Sequence, residues 1–146
     1  MFYKWQFWLI VALIILGSLS VYGYFKAIPP VIDKNQAIPK IEITPTFFDF
    51  GKLDFGKIAE KIFIVKNIGQ QVLEIKRVTT SCSCTSAQVS KETINPGEEA
   101  ELQVRYDTAA MGSGSHGKGQ QDRIIYIKSS DPTRPQVEII ISSFVK

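Results

Sequence analysis

The sequence predicts an all-β fold: an Ig-like β-sandwich of about seven strands over residues 41–146, preceded by one N-terminal transmembrane helix and a proline-containing linker. Three observations carry this. From Ile41 onward, short runs rich in β-branched and aromatic residues follow one another with no sustained 3.6-residue period. Turn residues separate them, in "NIGQQ", "NPGEE" and "SDPTRP". Ahead of them lies one long stretch without charge, Trp5–Phe25.

Residues 1–4 are a short tail, and "WQFWLIVALIILGSLSVYGYF" (residues 5–25) follows. At about 1.5 Å per residue, a helix of this length spans the hydrocarbon core of about 30 Å. Trp5 and Trp8 stand at one end and Tyr22 and Tyr24 at the other, as aromatic belts do. A cleaved signal peptide is the alternative, with Phe7 to Leu16 apolar and Gly17 to Ser20 as the small-residue exit. The aromatics continue past those small residues, which favours a retained anchor. No cysteine follows the apolar run to carry a lipid. For orientation, Lys26 favours the following side as cytoplasmic, whereas an N-terminal apolar run more often directs export. Position is given precedence, and the domain is expected at the cell membrane facing the periplasm or cell exterior. Residues 26–40, "KAIPPVIDKNQAIPK", read as an extended linker, because proline fixes φ and pushes its predecessor toward extended conformations.

The strands come next. "IEIT" and "FFDFG" form a first strand broken by Pro45, then "KIAEKIFIVKN", "VLEIKRVTT" and "CTSAQVS". "EEAELQVRYD" alternates most clearly: Ala100, Leu102, Val104 and Tyr106 face one way, and Glu99, Glu101, Gln103 and Arg105 the other. "RIIYIKSS" and "QVEIIISSFV" complete seven, with Ile139 and Ile141 inward. Seven short strands in about a hundred residues suit an Ig-like sandwich. The antibody-type inter-sheet disulfide is not expected, since Cys82 and Cys84 fall on one element.

Charge narrows the function. The net charge of +3 comes from the first forty residues, where four Lys face only Asp33. From Ile41 on, thirteen Lys and Arg balance thirteen Asp and Glu. No cationic cluster exists to displace counterions from phosphates, so nucleic acid is set aside as a partner.

The segments "FDFGKLDFG", "VKNIGQQVLEIKRVTTSCSCT", "INPGEEAELQVRYD" and "IIYIKSSDPTRPQVEIIIS" resemble the bacterial family called domain of unknown function 1573. Its pattern runs Phe-x-Phe-Gly, Asn-x-Gly before Leu-x-Ile, Cys-Gly-Cys-Thr, Pro-Gly and Ser-Asn-Asp-Pro. The resemblance covers nearly all of Ile41–Lys146, with Ser83 in place of the usual glycine and Ser130 where asparagine is common. It implies an Ig-like fold related to the ASPM, SPD-2 and Hydin domains, exported membrane-tethered members, and no established activity.

Candidate residues are few. Phe48 and Phe50 read as core side chains at the sandwich edge, with Gly51 turning the chain. Asn67 and Gly69 read as a strand-ending turn with Gly69 at positive φ, and Pro96–Gly97 as another turn. Catalysis is hard to build. The one histidine, His116, has no carboxylate near it before Asp122, and there is no nucleophile elbow, phosphate loop or zinc-protease motif. The expectation is a non-enzyme.

Cys82 and Cys84, the two cysteines of the chain, carry the remaining chemistry. Two residues apart on a strand, both thiols share a face. They read as a buried structural pair, as a thiol redox pair whose short disulfide is readily reduced, or as soft ligands for copper. Met111 and His116, in the glycine-rich stretch "DTAAMGSGSHGKGQQD", are candidates to complete the metal shell. In an Ig-type chain order, the turn after the first strand, the cysteines after the third and this loop after the fifth fall at one end of the sandwich. Three function classes follow: a tethered module binding a protein or cell-envelope partner, a copper-handling domain, and a thiol redox protein.

Overall fold

The computed structural model describes residues 6, 8, 9, 37–112 and 117–146. The chain divides into two units, and the second, Ala37–Lys146, is the β domain. Nearly all of the expected anchor, the linker up to residue 36 and His116 lie outside the described residues. Among the described residues, no helix is long and apolar enough to cross a membrane.

Among the described residues, nine strands form two sheets: β1 (Ile41–Ile43), β2 (Phe47–Leu53), β3 (Ile58–Asn67), β4 (Leu73–Thr80), β5 (Thr85–Val89), β6 (Thr93–Ile94), β7 (Glu99–Asp107), β8 (Gly119–Ser129) and β9 (Gln136–Val145). One sheet runs β1-β3-β7-β5 and the other β2-β9-β8-β4-β6. This order is consistent with an Ig-like sandwich. The expected count of about seven was low for two local reasons. The broken first strand is two strands in different sheets, β1 against β3 and β2 parallel to β9. Pro45 has no amide for a ladder, and the crossing between sheets is made beside it. The two-residue β6 is too short to show a period.

The core lies between the sheets. Leu102, Val104, Tyr106, Ile139 and Ile141 are all buried, as the alternation requires, together with Phe63, Val65, Ile125 and Ile127. Phe48 and Phe50 pack against this core from β2. Gly51 takes φ 70° where the register of β2 on β9 shifts. Pro96–Gly97 makes a type II turn: the Glu98 amide donates to Asn95 O at 3.0 Å, and Gly97 has φ 79°.

Gly69 departs from expectation. It has no positive φ; instead its Cα lies against the main chain of Ile38–Lys40, and an added Cβ would stand 2.3 Å from Ile38 O. Close approach of two backbones, not handedness, explains the glycine.

Candidate functional site

The candidate site centres on a turn between the sheets. Ser81 to Cys84 link β4 in one sheet to β5 in the other. Ser81 fixes the turn to β8: its amide donates to Ile124 O at 2.9 Å, and its Oγ accepts the Ile124 amide at 3.0 Å. Cys84 fixes it to β7, accepting the Asp107 amide at 2.9 Å. The Thr80 hydroxyl donates toward the carbonyls of Cys82 and Thr85, 2.9 Å from each.

In this turn Cys82 and Cys84 are joined to each other in a disulfide, with Cα atoms 5.2 Å apart. The expectation that a strand presents both thiols on one face is corrected: the pair stands on a turn, and the strand starts only at Thr85. Ser83 suits it, because every residue with positive φ in the described chain is a glycine. Cys84 is 2% exposed, Cys82 is half-buried, and the buried Thr85 hydroxyl lies 3.6 Å from the Cys82 sulfur and 3.8 Å from that of Cys84.

This disulfide is a weak staple. It links residues two apart in sequence. By the chain-entropy relation, a loop of about three residues yields about 1.6 kcal/mol, against about 4.7 kcal/mol for a loop of a hundred. A bond that constrains so little invites a chemical reading.

Arg123 supplies one. It occupies an inward position of β8, in phase with buried Gln121, Ile125 and Ile127. Its Nε donates to the Cys84 sulfur at 3.0 Å, its Nη1 to Asp122 O at 2.8 Å, and its Nη2 to Gln121 Oε1. Its guanidinium carbon stands 5.9 Å from the centre of the buried Tyr106 ring, within cation–π reach. The four ion pairs found among the described residues do not involve it. A cation is thus held against sulfur. Sequence reasoning passed over Arg123, although a visible signal was present: a charged residue in phase with Ile125 and Ile127, where an apolar one belongs.

The other parts of this end gather as the strand order implied. The Thr108 hydroxyl donates toward Asp54 O at 3.2 Å and Lys57 O at 2.9 Å, and the Phe55 amide donates to Lys146 O at 2.9 Å. The turn after β2, the cysteine turn and the start of the loop after β7 therefore share one end of the sandwich. Met111, 41% exposed, lies on that loop. Among the described residues, no group of three His, Cys, Asp or Glu is placed to hold a metal ion.

The opposite end is built from buried polar side chains. Asn67 donates from Nδ2 to Gln71 O at 2.8 Å and Ile94 O at 2.9 Å, and its Oδ1 accepts the Gly69 amide at 2.9 Å. The Asp131 carboxylate accepts the amides of Ile41 at 3.0 Å, Thr133 at 2.7 Å and Arg134 at 3.1 Å, and the Thr133 hydroxyl at 2.7 Å. Burial opposes its ionisation, but the Thr133 hydroxyl and the three amides outweigh burial and hold the carboxyl below its ordinary value.

Two antiparallel-rich sheets in this order, with one local disulfide in the turn from β4 to β5, are consistent with an Ig-like β-sandwich. The chain belongs to the family described as Protein of unknown function (DUF1573), which matches residues 41–145. No curated protein matches it. A protein of unknown function from Porphyromonas gingivalis W83 is similar in structure, with a TM-score of 0.67 and 25% identity. That likeness covers 79% of this chain and 50% of the other, so the chain spans about half of that protein's length. The ASH/PapD-like domain 7 of human CEP192 shares the fold at 10% identity and a TM-score of 0.57, covering 82% of this chain and 92% of that one. The YadV chaperone does so at 11% identity and a TM-score of 0.51, covering 73% of this chain and 52% of that one.

Proposed function

We propose that the chain is a membrane-tethered, non-enzymatic module that binds a protein partner of the cell envelope through the open face of its five-stranded sheet. One observation carries this reading. Phe47 of β2 stands opposite Ile140 of β9, and Ile140 opposite Ile124 of β8, so three adjacent strands line up apolar side chains on the outer face. Phe47 is 55% exposed, Ile140 38% and nearby Phe144 46%. Glu138, Lys128, Asp122 and Gln136 border the row, giving an apolar centre with a polar rim. Balanced charge from Ile41 onward favours such a partner over phosphate-bearing ones. Trp5–Phe25 would hold the module at the membrane, facing the periplasm or exterior.

A photo-crosslinking residue at position 47 or 140 of the full chain in cells tests this. Both positions should give the same protein adduct, which a residue at position 103 on the other sheet does not, and Ile140→Ser should remove the adduct formed from position 47. Equal adducts from both sheets would overturn the assignment. Labelling of Lys52 and Lys57 by an impermeant amine reagent in intact cells tests the outward orientation, and their protection would contradict it.

Copper handling is a second reading, favoured by Met111 lying on the loop that leaves Asp107, whose amide binds Cys84. A reduced chain would offer Cu(I) the sulfurs of Cys82 and Cys84, with Met111 or His116 completing the shell. Cu(I) titration of the reduced chain should show one tight equivalent, lost in Cys82→Ser. Equal uptake by the double serine variant would remove this reading.

A further inference from the structure

We propose that Cys82–Cys84 is a thiol–disulfide exchange site that accepts two electrons from a dithiol, with Arg123 as the positioning residue for the leaving sulfur. Three observations converge on it. The disulfide closes too short a loop to serve mainly as a staple. Its two cysteines are unequal, Cys82 half-buried and Cys84 buried. The sulfur of the buried one, and not that of Cys82, has a guanidinium N–H aimed at it from 3.0 Å.

These fix the direction of attack. A partner's thiolate reaches the Cys82 sulfur and forms a mixed disulfide there. The Cys82–Cys84 bond breaks, and its electron pair leaves with the Cys84 sulfur. That sulfur departs as an anion against Arg123, with the Thr85 hydroxyl beside it as a further donor. The partner's second thiol, as its thiolate, then attacks its own sulfur in the mixed disulfide and releases Cys82. The partner is oxidised to a disulfide, and this chain is reduced by two electrons. Of the two thiol protons given up, one goes to the Cys82 sulfur. The other goes to solvent while Cys84 stays charged, or to Cys84. Stabilising the reduced form in this way makes the disulfide a better oxidant, since reduction potential follows the stability of the dithiol state.

Arg123 is placed for this task rather than for stability. The half-buried guanidinium has as partners a sulfur, a main-chain carbonyl, an amide oxygen and an aromatic face instead of a carboxylate. Replacement by a neutral side chain of similar length should cost little in folding and much in exchange.

The full-length chain, oxidised, is equilibrated with glutathione buffers, and its reduction by dithiothreitol is followed by thiol count. The wild type should be reduced while folded. Arg123→Met should move the exchange equilibrium toward the disulfide and slow reduction, each by about tenfold, and Arg123→Lys should restore most of both. Single-cysteine variants test the direction without touching Arg123. Cys84→Ala, which leaves Cys82, should form a mixed disulfide with oxidised glutathione at least about tenfold faster than Cys82→Ala, because access governs the rate. Reduction only after unfolding would overturn the proposal. So would Arg123→Met exchanging like the wild type, or equal rates for the two single-cysteine variants. If Arg123→Met fails to fold, the single-cysteine pair decides.

Discussion

At the end of the sandwich where residues 37–40 enter, the buried side chains of Asn67 and Asp131 bind mainly main-chain groups from separate segments. At the other end the corresponding inward place is taken by Arg123 and a disulfide, bound to each other. In the first arrangement each side chain adds a long-range bond, Asn67 to Ile94 and Asp131 to Ile41, to several within its own turn, so removing one side chain orphans several backbone groups. The second joins one turn to one strand through a side-chain bond to sulfur. The difference teaches where stability and reactivity are kept: the entry end braces the fold, and the far end can change state with little cost to it.

The largest expected effect tests the brace. Asp131→Ala orphans the buried Ile41 amide and the part-buried amides of Thr133 and Arg134, and a buried group left unmade costs about 1–3 kcal/mol, so a loss of about 2–3 kcal/mol is expected in denaturant unfolding. A change below about 1 kcal/mol would break the contrast. Acid sharpens it. Because Asp131 is held below its ordinary value in the fold, its contribution is fully present above the unfolded carboxyl value, about 3.9, and is lost as pH falls through the lower folded value. The wild type should therefore lose stability below about pH 4 with a slope that Asp131→Asn reduces.

Reduction comes next in size. Breaking Cys82–Cys84 should cost about 1–2 kcal/mol, less than the loss of Asp131, since the loop it closes is so short. A cost of about 4 kcal/mol would make the disulfide a brace after all. The smallest effect belongs to the open sheet face. Phe47→Ser removes an exposed side chain and should change stability by no more than about 0.5 kcal/mol while abolishing partner binding.

Much of the fold was legible in the sequence because alternation is a local signal. Glu99–Asp107 shows it without interruption, and its inward residues are all buried. Turn chemistry was legible where one residue sets it, as at Gly97. It misled at Gly69, because a close approach between Ile38–Lys40 and the turn after β3 is a tertiary fact. Strand-to-sheet assignment was also hidden: no residue of "IEITPTFF" states that its two halves pair with different neighbours. At the site, the cysteines stood out by being rare. Their partner did not, because Arg123 lies 39 residues from Cys84 and is only brought to it when β8 is laid beside β4.

The most direct measurement compares amide NMR spectra of the full-length chain with the disulfide intact and reduced. A brace at one end and a reactive turn at the other predict shifts confined to Thr80–Thr85, Asp107 and Gln121–Ile124, with the amides of Asn67, Gly69 and Thr133 unmoved. Loss of dispersion on reduction, or shifts at Asn67 and Thr133 as large as those at Cys82 and Cys84, would contradict it.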